Sequence, residues 1–327
     1  MLKIKNLNID GKLFLAPMSN VSAIPFRLLC KRYGASMMYS EMVNAEAYLN
    51  ESSKTHRRTL FLEQERPIGI QLMGSSVESL KKAAQKVEQE LMPDLIDINI
   101  GCPSYTVMDN GCGASLLEDR EKLKEIVSTL SGSLSIPLTC KIRITKNDKK
   151  TVEIAKALEG CGAAALTVHG RTADQRYSGK ANWEVIKMIK EAVSIPITAN
   201  GDIISGVSAK SALESTGCDA LMIGRACIGN PFLFARIAHY LDTGEVLPNQ
   251  TLPSRIEDFF EFISLCEKYG YTNMSFIKLQ AHNFTHGYEG SGDIRKEISS
   301  RKTIDEIKEV LLDYSSHSIL LDNRTDP

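Results

Sequence analysis

The sequence predicts an α/β fold, a (β/α)8 TIM barrel followed by a small C-terminal helical bundle. Strand-like and helix-like segments alternate from the N-terminus to about residue 240. Eight of these segments are short, nearly all apolar and each followed by a helical pattern, the signature of a parallel sheet wrapped in helices. Beyond residue 240 the pattern is helical only. A barrel over 1–240 and a helical unit over 241–327 follow, and 327 residues suit one large barrel plus a smaller unit.

Taken in order, residues 13–18 read as the first strand and 25–32 as the helix behind it. Residues 37–42 and 68–73 are the second and third strands. The helix at 77–91 is amphipathic, with Leu80, Ala84, Val87 and Leu91 on one stripe. Residues 95–100 form the fourth strand, with a helix at 119–130. The fifth strand spans 137–144, and the helix at 151–158 is stopped by Gly160 and Gly162. Residues 164–169 are the sixth strand, 183–193 a helix, 195–199 the seventh strand and 220–223 the eighth. Two Ser-Ile-Pro entries, at 135–137 and 194–196, introduce strands after helices but are too short to define a repeat. Helical segments at 256–266, 274–286, 293–299 and 304–312 complete the chain, joined to the barrel through 242–253.

Hydrophobic residues at 43% and charged residues at 24% describe an ordinary globular protein. A formal net charge of −1 gives no global attraction to nucleic acid or to an anionic membrane. The charge is nonetheless uneven. From residue 241 onward there are nine Lys/Arg against fifteen Asp/Glu, net −6, which leaves the barrel at +5. Eight cysteines without framework spacing do not read as a disulfide scaffold. The first residues lack the apolar core of a signal peptide, and no later run approaches spanning length. A cytoplasmic monomer with reduced thiols, no membrane anchor and no metal is the expectation.

The stretch 95–117 concentrates the chemistry. Leu95, Ile96, Ile98 and Ile100 interleave with Asp97 and Asn99, and the strand then stops at Gly101-Cys102-Pro103. Gly101 lets the backbone turn, and Pro103 cannot continue a ladder. Cys102 is thereby presented at the carboxyl end of a strand, where parallel α/β proteins do their chemistry. Burial as a small hydrophobe is the competing reading. Pairing with Cys112 as metal ligands fits no common zinc spacing.

Other strand ends carry similar exceptions. Gln71 closes the third strand, Lys141 and Arg143 lie in the fifth, and His169-Gly170-Arg171 closes the sixth. Asn200-Gly201-Asp202 closes the seventh and Gly224-Arg225 the eighth. Singly, Lys141 is equally compatible with a snorkelling residue and His169 with a core histidine. Jointly they suit flavin chemistry. Gly201 and Gly224 can cradle a phosphate, with Arg225 adding a charge-assisted contact. Lys141 can balance the negative charge of a reduced isoalloxazine, and Gln71 offers donor and acceptor to its edge. No Rossmann or Walker fingerprint is present, so NADPH or NADH would be a transient reductant.

The segment Asn99-Ile100-Gly101-Cys102-Pro103, with Val107 and Gly113-Ala114-Ser115-Leu116, resembles the signature of the tRNA-dihydrouridine synthases. The likeness spans roughly residues 13–237. It includes Ala16-Pro17-Met18, Pro25-Phe26-Arg27, Ser40-Glu41-Met42, Gln71-Leu72, Lys141-Ile142-Arg143 and His169-Gly170-Arg171-Thr172. Tyr177-Ser178-Gly179, Ala181-Asn182-Trp183, Asn200-Gly201-Asp202 and Gly224-Arg225 extend it. The resemblance implies non-covalent FMN held by Ala16, Pro17, Met18, Gln71, Lys141, His169, Asn200, Gly201, Asp202, Gly224 and Arg225. It implies Cys102 as proton donor to a substrate uracil, with Asn99, Arg143 and Arg171 facing the uridine or its RNA backbone. A thiol that keeps its proton at neutral pH is suited to that role.

Two features depart from the family pattern. Ser19-Asn20-Val21-Ser22-Ala23 replaces the usual run after the first strand. The helical unit, which in the family helps to hold tRNA, is acidic here, so RNA would need a local basic face such as Lys278, Arg295, Lys296, Arg301 and Lys302. Two other readings remain: a flavin barrel acting on a free pyrimidine, as dihydroorotate dehydrogenases do, and an RNA-binding barrel without catalysis.

Overall fold

The computed structural model describes residues 1–317. Eleven strands are present among them: β1 (Leu2–Ile4), β2 (Leu7–Ile9), β3 (Leu13–Leu15), β4 (Met38–Tyr39), β5 (Val43–Asn44), β6 (Ile68–Met73), β7 (Leu95–Ile100), β8 (Leu138–Arg143), β9 (Ala165–His169), β10 (Ile197–Asn200) and β11 (Ala220–Ile223). Parallel pairing runs β3-β11-β10-β9-β8-β7-β6-β4, and a Phe14–Met37 bridge joins β3 to the entry of β4. The Leu15 N–H donates to Met37 O at 2.9 Å there. The eight expected barrel positions are filled, in sequence order round the ring.

The second position differs from the expectation in detail. It is split into β4 and β5, both paired with β6. Between them the Ser40 hydroxyl accepts the Gln71 N–H at 3.0 Å, so a side chain replaces a ladder carbonyl. The first strand is shorter than expected, ending at Leu15 just before Pro17, which has no N–H to offer.

Outward-facing residues such as Ile98, Cys140, Ile142, Val168 and Ile223 pack in one core with helix residues Leu80, Ala84 and Val87. The helix Val77–Leu91 follows the stripe read from the sequence, and the Ser76 hydroxyl caps it by accepting Ser79 N–H at 3.2 Å. The Ser-Ile-Pro entries share a device. Glu88 Oε1 accepts Ser135 N–H at 2.8 Å and its hydroxyl at 2.7 Å. Glu159 Oε1 does the same for Ser194, at 2.8 and 2.5 Å. Each carboxylate ties an outer helix to the entry of a strand.

The hairpin β1–β2 was not expected. Its Ile4 and Ile9 cluster with Phe14, Tyr39, Leu95, Ala165 and Ala220, residues at the amino-terminal ends of the barrel strands. The hairpin thus stoppers the lower mouth and leaves the carboxyl mouth open. Helices at Ala45–Leu49, Ser53–Thr59, Gly206–Thr216 and Leu233–Thr243 complete the ring.

The last described helices are Leu252–Lys268, Met274–Phe284, Ser291–Ser300 and Ile304–His317. Phe259, Phe262 and Phe284 pack together at their centre, with ring centroids 5.4–6.1 Å apart. The bundle is docked on the barrel by polar ties. Tyr33 OH and Arg32 reach Asp258 at 2.6 and 2.5 Å, and buried Arg255 donates to Gly229 O at 2.6 Å. Gly229 adopts φ +65°, and a Cβ there would strike the backbone of Asn283 and Phe284. Gly229→Ala should therefore lower stability by about 1–3 kcal/mol. It should also speed proteolysis in the 244–251 connection; unchanged melting and cleavage would show that this contact does not hold the bundle.

Candidate active site

Alternation along each strand sends every second residue into the barrel. Low in this interior lies Tyr39, its hydroxyl bonded to Thr139 and Thr167. Asp97 comes next. Its two oxygens accept Thr139 Oγ1–H at 2.6 Å and Gln71 Nε2–H at 2.7 Å. Burial raises the Asp97 carboxyl to about 6, against the opposing pull of Gln71, Thr139 and Lys141. With its amide nitrogen committed to Asp97, Gln71 presents Oε1 to Asn99 Nδ2 at 2.9 Å. Asn99 then accepts the N–H groups of Gly101 at 3.2 Å and Cys102 at 2.9 Å through Oδ1. A continuous hydrogen-bond chain so runs from the barrel interior to the backbone of Cys102.

Packing fixes the same loop from two other sides. Gly101 does not need a left-handed conformation, contrary to the turning role expected for it. A Cβ there would press on the backbone of β8, 3.2 Å from Ile142 C, so the requirement is steric. Gly113 has φ +62°, and a Cβ on it would lie 2.7 Å from Cys102 O. Ala114 N–H donates to that same carbonyl at 3.1 Å. The half-buried Cys102 side chain reaches the cavity from this clamp.

Around it stands a cluster of cations. Lys141 Nζ donates to Asn200 Oδ1 at 3.0 Å, and Asn200 Nδ2 donates to Met222 O at 2.8 Å, which fixes the asparagine. Loss of bulk water, then repulsion from Arg143, lowers the Lys141 ammonium to about 8. His169 is driven down to about 2 by burial and by Lys141, Arg143, Arg171 and Arg225, so its imidazole is neutral at any physiological pH. Arg143 donates to Gly101 O at 2.8 Å, Thr172 O at 3.0 Å and Arg176 O at 2.8 Å. Arg171 holds Ser178 O at 3.1 Å, Gly179 O at 2.6 Å and Asp202 Oδ1 at 2.6 Å. Four of these six hydrogen bonds go to the 172–179 loop.

All fifteen residues singled out from the sequence line one cavity of about 920 Å³ at the carboxyl mouth. Its lining includes five Lys/Arg against a single acidic residue, Asp202, already paired with Arg171. Among the described residues, the N–H groups of Gly201, Asp202, Gly224 and Arg225 donate to no protein acceptor. Sequence reasoning missed Met42, Ile204, Asn230 and Arg236, which extend the cavity, and Asp97 beneath it. It assigned no role to Tyr177, whose ring lies 4.6 Å from the Arg225 guanidinium carbon. Asp97 left a signal, being in phase with Asn99 on an otherwise apolar strand.

A family model described as dihydrouridine synthase (Dus) matches residues 14–317. The chain belongs to the dihydrouridine synthase family. It is 42% identical over 255 residues to tRNA-dihydrouridine synthase B of Pseudomonas aeruginosa, covering 77% of this chain and 76% of that protein. A probable tRNA-dihydrouridine synthase of Rickettsia prowazekii is 32% identical over 319 residues, 96% and 97% of the two chains. The crystal structure of the Amycolatopsis orientalis BexX/CysO complex contains a chain with TM-score 0.50 and 18% identity. It covers 76% of this chain and 98% of that one, a likeness of fold alone. Family membership makes the barrel that of a flavin-dependent oxidoreductase. Among the described residues no group of three or more His, Cys, Asp or Glu could hold a metal ion, and no helix is long and apolar enough to cross a membrane.

The departing run after β3 has its own support. Met18 N–H donates to Ser22 Oγ at 2.7 Å, and Asn20, at φ 60°, donates its N–H to Glu41 and its carbonyl accepts Gln280 Nε2–H at 2.8 Å. The bundle therefore touches the rim of the cavity. Gly113→Ala should leave flavin content unchanged while misplacing Cys102, with turnover falling about 10- to 100-fold. Full turnover in that variant would remove the clamp from the account.

Proposed function

We propose that this protein reduces the C5–C6 bond of uridines in tRNA, with FMN as its resident flavin and NADPH or NADH as transient reductant. The observation that carries the reading is the cationic, half-dry cavity, unneutralised by protein carboxylates and bordered by the Cys102 clamp. An anion is the natural complement of that cavity. Unpartnered N–H groups at Gly201, Asp202, Gly224 and Arg225, with the Arg225 guanidinium, suit the phosphate of FMN. Gln71, Lys141, His169 and Asn200 lie deeper and suit the polar edge of its ring, while Ala16, Pro17 and Met18 offer apolar contact. Bound there, the reduced flavin supplies the hydride that uracil needs at C6.

The chain's own residues do the remainder. Lys141 stabilises negative charge, and neutral His169 can donate one hydrogen bond without adding a further cation. Cys102 gives its proton to C5, and Asn99, Gly101 and Gly113 hold its backbone for that transfer. Arg143 and Arg171 position the 172–179 loop and leave edges toward the substrate, and Asn99 combines its clamp with a place in the lining. A uridine within a tRNA fold must be swung out to reach such a mouth, which favours a macromolecular substrate with an extended contact surface.

The helical unit expected from residue 241 on, whose described bundle helices begin at Leu252 and end at His317, is assigned to tRNA. Of the five expected cations, Lys296 and Arg301 pair with Asp293 and Glu297 on the surface, whereas Lys278 and Arg295 both lie beside His282. Lys278 donates to Ser299 O at 2.7 Å, a neutral partner, so this pair keeps its positive charge more fully than the two ion-paired cations. A cytoplasmic monomer fits this role.

Incubating purified protein and NADPH with unmodified tRNA, free uridine and free uracil tests the reading. Dihydrouridine should form in tRNA only, and equal turnover of free uracil would favour the free-pyrimidine alternative. Cys102→Ala should remain yellow and still oxidise NADPH, yet lose dihydrouridine formation by ~10²–10⁴-fold. An alanine variant with wild-type product yield would exclude Cys102 as the acid.

A further inference from the structure

Beside the cavity mouth lies an exposed aromatic pair of cation contacts that the reduction itself does not require. Tyr105 opens the short helix Tyr105–Asp109, three residues after Cys102, and is 72% exposed. The Arg176 guanidinium carbon lies 4.1 Å from the centre of its ring. Next to it Tyr177, 54% exposed, carries Arg225 at 4.6 Å and Arg143 at 5.6 Å. The two rings come from different loops that meet at Arg176, Tyr105 from the loop after β7 and Tyr177 from the loop after β9.

The geometry of Arg176 is held from below. Its own φ is +50°, a conformation that side chains other than Gly, Asn and Asp seldom adopt. Its carbonyl is bound by buried Arg143, and the far end of the loop by buried Arg171. Arg176 itself is exposed. Loop tips built of exposed polar residues are ordinarily mobile. Here buried cations pin the tip, so the Tyr105–Arg176 stack is presented at a fixed distance from Cys102.

Resting on the tRNA reading above, we infer that Tyr105 and Arg176 form a stacking platform for a nucleotide flanking the uridine swung into the cavity. The occupant is an RNA base with its phosphate. A guanidinium laid on a tyrosine ring offers a flat, polarised surface to a base and positive charge to the adjoining phosphate, without reading sequence. The platform lies outside the cavity that receives the flavin and the reacting base. It holds the strand at the point where the chain of nucleotides must bend into the mouth, supplying binding energy at a part of the substrate that does not react.

Flavin-loaded wild-type, Tyr105→Ala, Tyr105→Phe and Arg176→Ala proteins should be compared for tRNA affinity and steady-state kinetics. Loss of one stacked base should weaken tRNA binding roughly 5- to 150-fold, appearing in KM more than in kcat. Tyr105→Phe, which keeps the ring, should bind as wild type, whereas Arg176→Ala should weaken binding and flatten its salt dependence by about one phosphate contact. Flavin content and melting temperature, measured alongside, separate this from a folding defect. A stable Tyr105→Ala variant with wild-type Kd and KM would overturn the platform. Equal loss in the Phe and Ala variants would also overturn it, because the ring would not be the recognised feature. If wild-type protein itself fails to bind or reduce tRNA, the tRNA reading falls instead.

Discussion

The site depends on a cluster of positive charge, buried at Arg143 and Arg171 and exposed at Arg225, with too few carboxylates to balance it. Lys141, Arg143, Arg171 and Arg225 converge on one mouth, and the only acidic lining residue is already engaged by Arg171. Three consequences follow from burial together with that excess. Lys141 gives up its proton more readily than a solvated lysine, His169 cannot acquire one, and an anionic ligand gains from every cation it meets. Buried unpaired charge is costly, so the arrangement has a physical rationale when the missing charge arrives with the ligand. A flavin phosphate and the negative charge of the reduced ring fit that requirement.

Beneath the cations a second network supplies shape. Asp97 fixes the amide of Gln71, Gln71 fixes Asn99, and Asn99 holds the backbone at Cys102. Each member has one arrangement that satisfies its neighbours, so the chain converts a buried carboxylate into an orientation at the mouth. Gly101 and Gly113 close the remaining space around Cys102. The thiol's position is thus set by hydrogen bonds from one side and backbone contact from two others. Elements distant in sequence cooperate on a few ångströms of loop.

Much of this was legible in the sequence. The strands were readable because each is a short, mostly apolar run, and several of their polar exceptions fell towards the ends that meet at the mouth. Cys102 stood out for the abrupt stop after Ile100. The β1–β2 hairpin was hidden because its strands are three residues each, too short for periodicity to register. Asp97 was overlooked because its partners, Gln71 and Thr139, come from neighbouring strands and declare themselves only once register is known. Arg143 and Arg171 were read as facing substrate; where their donors go depends on carbonyls of the 172–179 loop, whose path no residue pattern specifies. Gly113 showed itself as part of a motif, but its positive φ and its closeness to Cys102 are tertiary facts.

The claim that the cavity waits for a negative charge is tested most directly by proton uptake on FMN binding. Flavin-free protein would be titrated calorimetrically at about pH 9 in buffers of different ionisation enthalpy. Lys141 titrates at about 8 without ligand, so most of it is neutral there, and a bound anion should draw a proton back onto it. Uptake approaching one proton per FMN is expected, with affinity falling as pH rises above about 8 and with Lys141→Met abolishing both. Binding of FMN at pH 9 with no proton uptake, or equal uptake in the methionine variant, would contradict the account.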